Sequence, residues 1–133
     1  MTTAVDTSVL ISIDQGEPDA GAWVDCLEMA REAGELVVCD VVAAEFFAVV
    51  SDRAAFHQTL DDLGVRMVFT SLEASCLAGS IFRKYRDAEG PREHLIPDFL
   101  VAAHARIDCD ALAAADRGYF RRYFRDLKIL RPR

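Results

Sequence analysis

Long apolar runs are missing from this chain of 133 residues. Its uncharged stretches fall far short of the ~18 residues a membrane-spanning helix requires, and it does not open with a basic segment followed by an apolar core. A cytoplasmic protein is therefore expected. Cysteine is sparse. Cys26, Cys39, Cys76 and Cys109 are scattered singly, with no CxxC pair, so neither a zinc site nor a small disulfide scaffold is supported, and reduced, mostly buried thiols are expected. His57, His94 and His104 show neither ligand spacing nor an acid–base pairing, and the sequence assigns them no chemistry. Internal repeats and linkers are also absent. With 52% hydrophobic and 28% charged residues, the chain reads as one globular domain over residues 1–133.

Basic residues are in the minority, 15 against 22 acids for a net charge of −7. That balance alone argues against a nucleic-acid partner, but its distribution argues the other way. Arg117, Arg121, Arg122, Arg125, Lys128, Arg131 and Arg133 face only Asp126 over residues 117–133, a local charge of +6 that leaves −13 for the first 116 residues. Such asymmetry fits either a footprint for a polyanion or a solvated terminal face and tail.

What the chain does contain is an alternation of short apolar runs and amphipathic segments. The first run, from Thr3 to Ile11, reads as a β-like stretch in which Asp6 is the sole charge, followed by a turn at Asp14 to Pro18. Residues 20–33 have helical periodicity with Trp23, Leu27 and Ala30 inward, and Gly34 ends that helix. Leu36 to Cys39 reads as a buried strand, and Asp40 as the N-cap of a helix from Val41 to Val50. That helix is so apolar that burial is expected, with Glu45 its one charge. Further helices are expected over 52–63 and from Ser71 to about Asp87, around a strand at Val65 to Phe69. Gly90-Pro91 breaks the chain. Pro97 then fits the first turn of another helix, whose unpaired backbone N–H groups favour an anion at Asp98. The apolar run Ala111 to Ala115 reads as a strand delivering Asp116 before a turn at Gly118, and Asp126 to Leu130 as a last strand.

Strands alternating with helices predict an α/β fold, with a parallel sheet of about five strands flanked by helices on both faces. In such a sheet Asp6, Glu45, Asp98 and Asp116 can converge at one rim. Four carboxylates together repel, and a hard divalent cation, Mg²⁺ or Mn²⁺ rather than zinc, makes the cluster sensible. Any one of these acids alone is more often an N-cap or an ion-pair member.

The chain resembles the PIN-domain ribonucleases, and among them the VapC-like toxins of type II toxin–antitoxin pairs. The resemblance spans essentially the whole sequence. It is carried by Val5-Asp6-Thr7-Ser8-Val9-Leu10, Val41-Val42-Ala43-Ala44-Glu45, Pro97-Asp98-Phe99-Leu100-Val101-Ala102-Ala103-His104-Ala105 and Asp116-Arg117-Gly118-Tyr119-Phe120. It implies that Asp6, Glu45, Asp98 and Asp116 form the catalytic acidic quartet and that Asp6, Asp98 and Asp116 hold the metal. Thr7 or Ser8 matches the hydroxyl beside the first acid. Two positions depart from the family pattern: Ser8 stands where Asn is frequent, and Ala114 where a Thr or Ser often supports the last acid. The activity implied is Mg²⁺-dependent hydrolysis of RNA, with Thr7, Ser8, Arg117 and Arg121 on the substrate's side and Mn²⁺ as a substitute metal. The partners implied are an RNA substrate, a cognate antitoxin protein and a second copy of the chain in a homodimer.

Two other classes fit in part. One is a catalytically inactive PIN-like module that binds a protein, which loss of a quartet acid would favour; none is lost. The other is a Mg²⁺-binding phosphoacceptor receiver domain, which lacks support because there is no acidic pair after the first strand.

Overall fold

The computed structural model describes residues 1–88, 94–115 and 119–133. The strands are β1 (Thr2–Val5), β2 (Glu35–Cys39), β3 (Val65–Val68), β4 (Ala111–Ala113) and β5 (Ile129–Leu130). All pair in parallel, in the order β3-β2-β1-β4-β5. Consecutive strand residues Leu36, Val37, Val38 and Cys39 are all buried, as are Ala4 and Val5 and all of β4. Burial without alternation means that both faces of the sheet are covered. The α/β expectation holds, and the strand order differs from the 2-1-3-4-5 order of receiver domains.

The helices among the described residues are α1 (Thr7–Asp14), α2 (Ala20–Ala33), α3 (Asp40–Val50), α4 (Arg53–Leu63), α5 (Leu72–Asp87), α6 (Ile96–Asp108) and α7 (Tyr119–Tyr123). Caps set several of their ends. The Asp52 carboxylate accepts from Ala54 N–H at 3.2 Å, the Ser71 hydroxyl from Ala74 N–H at 3.1 Å, and Gly64 closes α4 at φ 70°. Gly34 is needed for a different reason. A Cβ there would lie 1.7 Å from the Met1 carbonyl oxygen, so only glycine lets the chain start pass β2 this closely.

Four sequence expectations are corrected. The run from Thr3 to Ile11 is not one β-like stretch: the strand ends at Val5 and α1 begins at Thr7, because Asp6-Thr7-Ser8 is helix-start chemistry that outweighs the β-branched residues after it. Helix α3 is not wholly buried. Val42, Ala43 and Phe46 face the core, whereas Phe47 and Val49 are 39% and 45% exposed. Asp40 is the first residue of α3 rather than its cap; its carboxylate accepts from the Thr70 hydroxyl and N–H at 2.6 and 3.0 Å, tying the end of β3 to α3. Cys76 is exposed, although all four thiols are free. The turns expected at Gly90-Pro91 and Gly118 lie outside the described residues.

Among the described residues no helix is long and apolar enough to cross a membrane. Among the described residues two buried hydroxyls lack a hydrogen-bond partner, Thr3 Oγ1 and Tyr85 Oη. Thr3 is fully buried on β1. Replacing its orphan hydroxyl by a methyl group of similar shape, Thr3→Val, is expected to stabilise by about 1 kcal/mol. In a chain of this size that raises the melting temperature by roughly 3–4 °C, as calorimetry would show.

Candidate active site

Strand order places the site. β1 lies at the centre of the sheet, with β2 on one side and β4 on the other. The direction of winding reverses between β1 and β4, where α/β sheets open a crevice at the strands' carboxyl ends. Asp6 stands at that point. It follows the last residue of β1, its N–H donates to the Ala113 carbonyl at 3.0 Å, and its backbone is extended as the N-cap of α1.

Three acids from three helix starts or faces meet there electrostatically. The Asp6 carboxylate accepts from the Ser8 hydroxyl at 2.5 Å, and Glu45 Oε1 on α3 accepts from the Thr7 hydroxyl at 2.7 Å. Asp98, in the first turn of α6, has its Oδ2 bonded by the Leu95 N–H at 3.0 Å, and Pro97 precedes it. Burial raises the pKa of Asp6; the Ser8 hydroxyl and the backbone N–H groups of Ser8 and Thr7 work against that rise, and the charge of Asp98 adds to it. Glu45 is exposed as a residue, yet its carboxyl pKa is also raised. Partial desolvation is the main cause, the Thr7 bond opposes it, and the charges of Asp6 and Asp98 reinforce it. The acids therefore share one field of negative charge.

The donor set suits a hard cation. It is all oxygen, and among the described residues no Lys or Arg pairs with Asp6, Glu45 or Asp98. Nor do any three carboxylate, imidazole or thiol groups among the described residues converge closely enough to enclose an ion. A coordination shell drawn from this chain therefore needs more than Asp6, Glu45 and Asp98. Asp116 and Arg117, expected at the same rim, lie outside the described residues. The segment leading to them leaves β4 through Ala114, which is fully buried and offers no hydroxyl. Arg121 stands exposed on α7. That helix joins the site's wall through Tyr123, whose ring packs at 6.1 Å on Phe99, the residue after Asp98, and at 5.3 Å on Tyr85.

One residue given no chemistry by the sequence belongs here. His94 Nδ1 lies 3.6 Å from Asp98 Oδ2. The spacing of four residues between them was the available signal, but the helix starts only at Ile96, so helical spacing could not be read across that boundary. His57 stays remote, stacked edge-on against Phe56 on α4. His104 is buried in α6, 3.5 Å from Asp108 and 3.6 Å from the Cys109 sulfur. A Cys-His-Asp grouping of this kind suggests a nucleophile, but burial pushes the Cys109 thiol up to about 12 and so keeps it from ionising.

Burial also lowers the pKa of His104, with Asp108 acting in the opposite sense. The unfolded chain takes up this proton near pH 6.5 while the folded chain resists it. Stability from this group is thus complete above about 6.5 and is lost as pH falls towards the depressed folded value. Melting temperatures of the wild type are expected to fall between pH 7 and the low fives, with a shallower slope in His104→Leu.

The fold and the grouped carboxylates define an α/β protein with oxygen donors at the carboxyl ends of its central strands. The chain belongs to the PIN domain family, whose model matches residues 3–125. No curated protein sequence matches it. Among solved structures it is similar to VapBC2 from Rickettsia felis bound to a DNA fragment from its promoter, with a TM-score of 0.77, 17% identity and 100% of both chains covered. VapBC-1 from nontypeable Haemophilus influenzae gives 0.68 and 14%, covering 97% of this chain and 96% of the other. The sarcin–ricin loop cleaving toxin VapC20 of Mycobacterium tuberculosis gives 0.62 and 15%, covering 92% and 95%. At these identities the likeness is one of fold.

Proposed function

We propose that the protein is a metal-dependent ribonuclease toxin that hydrolyses phosphodiester bonds in RNA and is neutralised by a cognate antitoxin. The observation that carries this reading is the set of carboxylates Asp6, Glu45 and Asp98 at the switch point of a PIN fold, with no Lys or Arg partner among the described residues. Asp6, Asp98 and Asp116 would hold Mg²⁺ or Mn²⁺, directly or through water, with Glu45 adjoining. When bound, the metal would supply Lewis-acid polarisation of the scissile phosphate and an activated water. The side chains do the rest. Ser8 and Thr7 fix the Asp6 and Glu45 carboxylates by their hydroxyls and so keep the acids oriented despite their repulsion. Arg117 and Arg121 would neutralise substrate phosphates at the rim. Support for an RNA substrate comes from the fold shared with a toxin that cleaves the sarcin–ricin loop, and for an antitoxin from the fold shared with VapBC complexes.

In the complex, an antitoxin segment carrying an Arg into the acid cluster would replace the metal's charge and block catalysis. A homodimer in the cytoplasm completes this reading. The inactive-module alternative is disfavoured because no acid of the quartet is replaced. Induced alone in a bacterial host, the wild type is expected to stop growth, and co-expression of a small protein encoded immediately upstream is expected to restore it. Unimpaired growth at high, soluble expression would count for the inactive module instead.

A further inference from the structure

We infer that His94 is a positioning residue for Asp98, holding one carboxylate oxygen so that the other is presented to the acid cluster. The inference rests on the metal-site reading above and extends it to a residue outside the acidic quartet. Each described acid of the cluster has one oxygen tied by a polar neighbour. Asp6 Oδ2 is tied to the Ser8 hydroxyl and Glu45 Oε1 to the Thr7 hydroxyl. For Asp98 that oxygen is Oδ2, approached by the Leu95 N–H at 3.0 Å and by His94 Nδ1 at 3.6 Å. Among the described residues no group donates to Asp98 Oδ1.

A single backbone bond leaves the carboxylate free to swing about its own axis, since Pro97 at the start of α6 brings no N–H of its own. The imidazole supplies a second point of restraint from the side. At 3.6 Å it is beyond hydrogen-bond length and steers by the dipole of the ring, so its orientation matters. That orientation is backed by a buried wall. The ring lies edge-on to Tyr85 at 6.2 Å, and Tyr85 is 1% exposed, packed against Phe82, Phe99 and Tyr123. The wall joins α5, α6 and α7, so the face that His94 meets is set by the packing of three helices.

The test uses the purified full chain in four forms: wild type, His94→Ala, His94→Asn and His94→Gln. Mn²⁺ affinity is measured by calorimetry, and kcat and KM with an RNA hairpin spanning a cleavage site mapped in total RNA. His94→Ala is expected to lower both Mn²⁺ affinity and kcat by about tenfold, the lower end for partners that orient a metal ligand, with KM nearly unchanged. The amide of Asn reaches the place of Nδ1 and is expected to restore both quantities, whereas Gln, one methylene longer, is not. Unchanged Mn²⁺ affinity in His94→Ala, equal losses in Asn and Gln, or a rise in KM alone would overturn the inference. A wild type that cuts RNA and binds Mn²⁺ while His94→Ala matches it sinks this inference alone; a wild type that binds no Mn²⁺ sinks the metal reading beneath it as well.

Discussion

Purified Asp6→Ala and Asp98→Ala proteins are expected to cleave RNA about a thousandfold more slowly than the wild type, or to lose activity altogether. Metal ligands act on charge that develops in the transition state, so their loss falls on kcat rather than on substrate binding alone. Several kcal/mol of such stabilisation corresponds to roughly three orders of magnitude. Asp6 stands at the switch point of the sheet and Asp98 at the start of α6, and each raises the pKa of Glu45 through its charge. Removing either therefore alters the shared field as well as a ligand. Asp98→Ala also strips the Leu95 N–H of its acceptor, at a cost of about 1 kcal/mol to the helix start. Asp98→Asn is the cleaner comparison: it keeps an oxygen for that bond, and activity is still expected to vanish. Kinetics of Asp98→Asn within tenfold of the wild type would remove Asp98 from the metal site.

The second large effect concerns heat stability with and without metal. Because the pKa values of Asp6 and Glu45 are raised in the fold, the stability gained on protonating them is complete below the ordinary carboxylate range near 4 and is lost as pH rises through their folded values. At neutral pH the charged pair is a cost to the metal-free protein. Asp6→Asn and Glu45→Gln are thus expected to melt above the metal-free wild type, a trade of stability against activity found at strained sites. Adding Mn²⁺ should reverse the order. At about a hundredfold over its dissociation constant the ion stabilises the wild type by about 2.7 kcal/mol, roughly 10 °C in this chain, while Asp6→Asn gains far less. A large fall in the metal-free melting temperature of both variants would show these acids to be structural partners instead.

Much of this was legible in the sequence, and the reasons differ by element. Helices α4 and α5 carry clear caps, and α2 a clear stripe, with Trp23, Leu27 and Ala30 buried as the periodicity requires. The buried strands β2 and β4 are short apolar runs bounded by polar residues, which a parallel sheet covered on both sides produces. Helix α1 was hidden. Thr7, Val9, Ile11 and Ile13 are β-branched and read as strand, and only the end of central strand β1 at Val5 leaves Asp6 as a cap. The apolar content of α3 misled in the opposite way: hydrophobicity all round predicts burial, but Phe47 and Val49 sit on a face the chain itself leaves open.

Site residues followed the same division. Asp6, Glu45 and Asp98 stand out in sequence because a lone acid in an apolar setting needs a physical reason. The resemblance placed Thr7 or Ser8 beside Asp6, but the bond from Thr7 to Glu45 spans 38 residues and is visible only in the fold. His94 escaped notice because its relation to Asp98 depends on where α6 begins and on the buried ring of Tyr85.

The most direct measurement is incubation of the purified protein with total RNA, with Mg²⁺ or with EDTA, followed by mapping of new 5′ ends. The expected result is a discrete set of ends that depends on the metal, disappears in EDTA and is absent with Asp98→Ala. Cleavage that persists in EDTA, or that is equal in the Asp98→Ala protein, would contradict the metal-nuclease account.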